Sequence, residues 1–211
     1  MQTRNDGGGI VQTIKVFVAG PTNAGKTTLV HKFDSNARSI EYYYEDGRST
    51  TIGFDLGIVF WDKTKNRILK NVDVNHEDPS IFKVVLMGSP GQLRFAPVRQ
   101  AISKGSQGVL FVIDSTNLGQ VGLAISIYEE IKVYFKNDFP MVILANKQDL
   151  EGAADAETVQ KLLKISSAKV IETSAITGSN LEVGLLELLN MIYNLGLVPS
   201  KTEGIQLVKN S

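Results

Sequence analysis

At 211 residues, with 43% hydrophobic and 21% charged side chains, the chain is sized and composed for one globular domain with short extensions. Its 22 basic and 22 acidic side chains cancel, so no net field directs it to nucleic acid or to an anionic membrane. The absence of cysteine excludes disulfides, thiolate metal sites, cysteine nucleophiles and prenyl or palmitoyl anchors.

Residues 1–12 contain Gly7-Gly8-Gly9 and read as a flexible lead, residues 13–195 as the folded domain, and residues 196–211 as a tail without an anchor motif. Gln2 follows Met1, so the glycine that myristoylation needs is missing, and the polar start has no apolar signal core. No apolar run approaches the ~20 residues of a membrane span. A cytoplasmic location is expected.

The first element is the apolar strand IKVFVAG, which runs into a glycine-rich turn and a helical stretch over 26–37. Further apolar runs follow at 82–88, 108–114, 141–147 and 169–175. Runs apolar on both faces suit buried strands of a parallel sheet. Helical patterns at 93–104, 119–136, 156–166 and 180–195 separate them. In the last, Leu181, Leu185, Leu188, Leu189 and Ile192 recur at three- and four-residue spacing. One strand, FDLGIVFWD at 54–62, reaches the next through a polar connector with no helical period, so these two pair antiparallel. The alternation predicts an α/β, doubly wound, mostly parallel six-stranded sheet with one antiparallel edge strand.

Gly20-Pro21-Thr22-Asn23-Ala24-Gly25-Lys26-Thr27 matches G-x-x-x-x-G-K-[ST] between a strand and a helix, the context this phosphate-binding loop requires. Its glycines let backbone N–H groups converge on phosphate oxygens, and the helix N-terminus adds positive potential. Gly20, Asn23, Ala24, Gly25, Lys26, Thr27 and Thr28 are the candidate phosphate contacts. Lys26 is expected at the β- and γ-phosphates and the Thr27 hydroxyl on Mg²⁺. The loop alone means only that a nucleoside triphosphate binds. Kinases, ATPases and GTPases share it.

Asn146-Lys147-Gln148-Asp149 closes the strand MVILA and matches N-K-x-D, the pattern that reads guanine in GTPases. The Asp149 carboxylate can accept from guanine N1 and N2. Adenine has no N1 donor and would leave that carboxylate unpaired. Asn146 is expected to tie loops together, and the Lys147 stem to lie over the base. Ser174 and Ala175, in the segment Thr173-Ser174-Ala175, complete the expected base site.

In chain order, GPTNAGKT, TTIG, SPGQ, NKQD and TSA resemble the Ras-like small GTPase superfamily over about residues 13–195. The resemblance implies the Ras-like fold, GTP/GDP with Mg²⁺, slow GTP hydrolysis and two nucleotide-sensing switch loops. Thr51 matches the switch I threonine that completes the Mg²⁺ shell, with Thr50 leaving the register open by one. In Ser89-Pro90-Gly91-Gln92, Gly91 matches the γ-phosphate contact and Gln92 the residue that orients the attacking water. Catalytic roles thus fall on Gln92, Lys26 and Thr51.

The pattern is broken where the family carries an aspartate three residues before the switch II glycine, because Gly88 stands there. The tract M-G-S-P-G-Q-x-R-F resembles the prokaryotic MglA-like branch, which lacks that aspartate and tends to carry one on the preceding strand. Asp55 has that spacing from Thr51 and would join Thr27 and Thr51 as a metal-site residue. The alternative is a solvated charge on an edge strand. A further departure, Thr22 where Ras has glycine, puts a Ras-type arginine finger in doubt.

The resemblance also implies protein partners at the switch loops: activating proteins of Roadblock type and effectors, with the GTPase itself a monomer that binds no nucleic acid and has no lipid anchor. Arg94 is read as a partner-contacting surface residue or a charge supplied in cis. Tyr42-Tyr43-Tyr44 and Phe54/Trp61 form a partner surface or half-buried packing. His31 and His76 have no metal-like companions. Two rivals remain: a pseudo-GTPase adaptor that holds GTP without turnover, and a P-loop kinase or ATPase.

Overall fold

The structure, a computed structural model, describes residues 11–42, 52–69, 74–75, 77–135 and 139–199. Five strands run parallel: β1 (Thr13–Ala19), β5 (Ile81–Gly88), β6 (Gly108–Asp114), β7 (Met141–Asn146) and β8 (Lys169–Glu172). Joined to them are β2 (Arg38–Tyr42), β3 (Ile52–Asp62) and β4 (Arg67–Leu69). The strand order is β2-β3-β5-β1-β6-β7-β8, with β4 paired to β3. Five helices cover the sheet: α1 (Lys26–Phe33), α2 (Ala96–Ser103), α3 (Val121–Tyr134), α4 (Ala156–Leu163) and α5 (Leu181–Asn194). None is long and apolar enough to cross a membrane, among the described residues.

Strand alternation sorts the core into two layers. Val16, Val18, Leu86, Leu110, Val112 and Leu144 face α1 and α5, where Leu29, Leu185, Leu188 and Ile192 meet them. Phe17, Val109, Phe111, Ile113 and Ile143 face the other way, against Ile127 and Ile131 of α3 and Val159 and Leu163 of α4. Helices on both faces of a mostly parallel sheet are the doubly wound arrangement that the alternating apolar runs imply.

The strand count and the edge differ from expectation. The sheet has eight strands rather than six, and β3, the antiparallel strand, is not the edge. Residues Arg38–Tyr42 pair antiparallel with Ile52–Leu56 and cover it. The stretch RSIEY lies inside the segment read as the first switch loop, and it lacks the long apolar run that marks a buried strand. Its pairing comes from the antiparallel neighbour.

Parallel pairing brings the C-terminal ends of β1, β5, β6, β7 and β8 to one edge of the sheet. Because β3 runs the other way, its early residue Asp55 arrives at the same edge, opposite Gly88. At the far end of β3, Trp61 is fully buried and packs on Phe82 at 5.4 Å and edge-on to Tyr193 at 6.1 Å between ring centroids. Phe54 and Trp61 are therefore core residues and not a partner surface. Replacing Trp61 by alanine should remove about 3–5 kcal/mol of stability, read as a lower urea midpoint at an unchanged m-value.

Candidate functional site

Backbone geometry makes the phosphate loop possible. Gly20 has φ +138 and Gly25 has φ +102, both unfavourable for a side-chain-bearing residue. A Cβ on Gly20 would sit 2.0 Å from the Val112 carbonyl oxygen, and one on Gly25 would sit 2.3 Å from Asn146 Nδ2. The Ala24 N–H donates to Pro21 O, closing the turn. The N–H groups of Asn23, Gly25, Lys26, Thr27 and Thr28 find no backbone acceptor among the described residues. A row of free donors at a helix N-terminus fits an anion.

Lys26 stands at the centre of this row and is only 7% exposed. Its ammonium donates to Pro21 O at 2.6 Å. Burial pulls its pKa down to about 8, opposed by the nearby Asp55 charge and reinforced by Arg99. A buried cation without an ion-pair partner among the described residues fits a phosphate group as its missing counter-charge.

An open cleft of about 500 Å³ starts at the loop and is lined by Asn23, Gly25, Lys26, Thr27, Thr28, Asn146, Lys147, Asp149, Leu150, Ala175 and Ile176. Asn146, nearly fully buried, is its hinge. Its Nδ2 donates to Ala24 O at 2.8 Å, and its Oδ1 accepts from the Ala175 N–H at 2.8 Å. One amide thus joins the phosphate loop, the end of β7 and the segment after β8. Asp149 lies at the far end and accepts from the Ser174 hydroxyl at 2.5 Å.

Two features of the base end were not legible in the motif. Lys147 pairs with Asp114 at the end of β6, Nζ to Oδ2 at 2.6 Å. Burial works to raise the Asp114 pKa, but hydrogen bonds from Lys147 and Thr116 outweigh it and hold the carboxyl below its usual range. The signal available for Asp114 was a carboxylate ending a fully buried strand. The N–H groups of Ser174 and Ala175 are both engaged, by Ser179 O and Asn146 Oδ1, so neither is free for a base in this conformation.

Beside Thr27, which lines the cleft, Asp55 is 8% exposed. Its Oδ2 accepts from the Thr27 hydroxyl at 2.6 Å and its Oδ1 from the Ser39 hydroxyl at 2.6 Å. It is therefore not a solvated edge charge. Gly88 faces it across the ladder, and a Cβ there would sit 3.0 Å from Asp55 Cβ and 3.1 Å from Oδ2. The space that glycine leaves is the space the carboxylate uses. With its hydrogen given to Asp55, the Thr27 oxygen keeps lone pairs free for a cation, a donor set that fits Mg²⁺.

The second switch segment meets the site only in part. Gly91 is buried against the phosphate loop, and a Cβ on it would sit 2.3 Å from Thr22 N. Thr22 Oγ1 is buried with no hydrogen-bond partner among the described residues. Gln92 is exposed, does not line the cleft, and accepts from Arg94 Nε at 2.8 Å. Arg94 stacks over the Phe95 ring at 4.7 Å, on the surface and not in the site. Thr51, Tyr43, Tyr44 and His76 lie outside the described residues, and half-exposed His31 has no metal-binding companions among the described residues.

The family model described as the Ras family matches residues 15–194. Among curated proteins, the chain is 25% identical to Ras-related protein Rab11D of Lotus japonicus over 183 residues, 86% of this chain and 75% of that protein. It is 27% identical to GTP-binding protein ypt4 of Schizosaccharomyces pombe over 183 residues, 85% and 71% of the two chains. It is 28% identical to GTP-binding protein YPT53 of Saccharomyces cerevisiae over 177 residues, 80% and 71%. The match spans both the phosphate loop and the base motif, and the chain belongs to the Ras family.

Proposed function

We propose that this protein is a guanine-nucleotide switch that binds GTP with Mg²⁺ and slowly hydrolyses it to GDP. The observation that carries this reading is the cleft itself: at one end N–H groups without backbone acceptors and a buried Lys26 without an ion-pair partner, among the described residues, and a carboxylate at the other. Phosphates satisfy the first, and a base with two adjacent donors satisfies Asp149. The relatives' names, Ras-related and GTP-binding, agree with it. A single-turnover assay with GTP and Mg²⁺ tests it, with an expected unassisted rate of ~10⁻⁴–10⁻² s⁻¹.

Lys26 and the loop N–H groups hold the phosphates, and Thr27 holds the metal. Bound Mg²⁺ supplies charge neutralisation across the phosphates. Asp55 acts by accepting the Thr27 hydrogen, in the place of the aspartate that Gly88 lacks, and Ser39 fixes its second oxygen. Thr51 would be a further residue to hold the metal when the triphosphate is bound, and the Gly91 N–H would contact the γ-phosphate. Gln92 must leave Arg94 and turn toward the cleft to orient water.

The glycine at 88 and the P-G-Q tract support a place in the MglA-like branch, and with it a Roadblock-type activating protein, effectors at the switch segments, a monomeric state and a cytoplasmic location. The domain is read as residues 13–195 between a lead and a tail. The second reading, an adaptor that keeps GTP without turnover, is favoured by the outward position of Gln92. Protein purified with intact GTP would select it.

Asp149→Asn should lose GTP affinity and gain xanthosine triphosphate affinity, measured by competition. Equal GTP binding would remove Asp149 from the base site. Asp55→Ala should raise the Mg²⁺ concentration needed to retain GDP by roughly 10–100-fold, whereas Glu129→Ala on the solvent face of α3 should not. Gln92→Leu should slow hydrolysis with GTP affinity nearly unchanged. A wild-type rate in that variant, alone and with an activating protein, argues for turnover without Gln92.

A further inference from the structure

Arg99 on α2 is fully buried. A guanidinium keeps its charge under all ordinary conditions and carries five N–H donors, so its burial is tolerable only where each donor is met. All five are met here. Nε and Nη2 donate to Glu130 Oε2 on α3 at 3.0 and 2.6 Å. Nη1 donates to Pro90 O at 3.1 Å and to Gln92 O at 2.5 Å. Nη2 also donates to Leu93 O at 3.2 Å.

Three of these acceptors are backbone carbonyls of one short segment, residues 90–93. The side chain is an internal strut: α3 supplies the counter-charge through Glu130, and the remaining donors fix the path of the second switch. Tyr134 Oη lies 3.1 Å from the same Glu130 oxygen, which ties the strut to the end of α3.

The strutted segment touches the phosphate loop through Gly91, whose backbone is seated on Thr22 and Pro21. The Gly91 N–H has no acceptor among the described residues, and the residue is buried against the phosphate loop. A donor so placed is available to a ligand oxygen. A loop already fixed in place gives up no further conformational freedom when that oxygen arrives.

We propose that Arg99 is a positioning residue for the terminal phosphate: it preorganises residues 90–93 so that Gly91 is seated on the phosphate loop before a nucleoside triphosphate binds. This rests on the nucleotide reading above and goes beyond it, because it assigns the preference for triphosphate over diphosphate to a side chain that touches neither. Lysine cannot replace it, since a compact ammonium has three donors and no planar fork to span three carbonyls and a carboxylate.

Dissociation constants for GDP and for a β,γ-imido GTP analogue, measured on the full chain, test this. Arg99→Lys should weaken the triphosphate analogue roughly tenfold while GDP binding stays within about twofold. Glu130→Gln, which keeps shape and one acceptor, should shift the same ratio in the same direction by less. Lys132→Ala, which removes only the exposed pair with Glu129, should leave both constants unchanged. A merely structural role would weaken both nucleotides together, so an equal loss overturns the proposal, as does an unchanged or inverted ratio. If Arg99→Lys does not fold, the Glu130→Gln ratio decides. A wild-type chain that binds neither nucleotide fails the nucleotide reading itself. One that binds both, with variants at the wild-type ratio, fails only the role of Arg99.

Discussion

The N–H groups of residues 25–28, which have no backbone acceptor among the described residues, keep their places because the loop that carries them is held by its neighbours. Unpaired backbone donors are unfavourable, and a free loop would twist to satisfy them. Here Asn146 holds the Ala24 carbonyl, the missing Cβ of Gly25 lets Asn146 approach, and Val112 closes on Gly20 from beneath. Asn146 in turn is fixed by the Ala175 N–H. The base motif, 120 residues later in the chain, is therefore part of the scaffold of the phosphate motif. The cleft exists because the parallel sheet delivers both to one edge.

The same edge shows how a carboxylate can be supplied from a different strand. In an antiparallel ladder two residues stand face to face, and the chemistry at that place depends on which of them carries the side chain. Gly88 contributes room and Asp55 contributes oxygens. What the site needs is an acceptor beside Thr27, and the sheet register meets that need from β3 as readily as from β5.

Much of this was readable in the sequence because it depends on local spacing. A phosphate loop needs its glycines, its lysine and its threonine within eight residues, and a buried parallel strand needs a continuous apolar run. Asp55 was found through the resemblance, by its spacing from Thr51, and antiparallel pairing of 54–62 with 82–88 supported it by bringing an early residue of one opposite a late residue of the other. Features made by long-range pairing were not readable. β2 is too short and polar to announce itself without β3. Arg99 looks like any helical arginine until Glu130 and three carbonyls surround it. The outward position of Gln92 follows from its bond to Arg94, which a motif does not encode.

The facing pair Asp55 and Gly88 constrains what either position can become. Moving the carboxylate from β3 to β5 takes two substitutions, and one alone leaves both carboxylates or neither. With both, two like charges crowd one place in the ladder, the second side chain starting from a Cβ only 3.1 Å from Asp55 Oδ2. With neither, the Thr27 hydroxyl loses its acceptor. Each single change is therefore worse than the pair as it stands: Asp55 and Gly88 act as one unit, and a substitution at either is felt at the Thr27 hydroxyl.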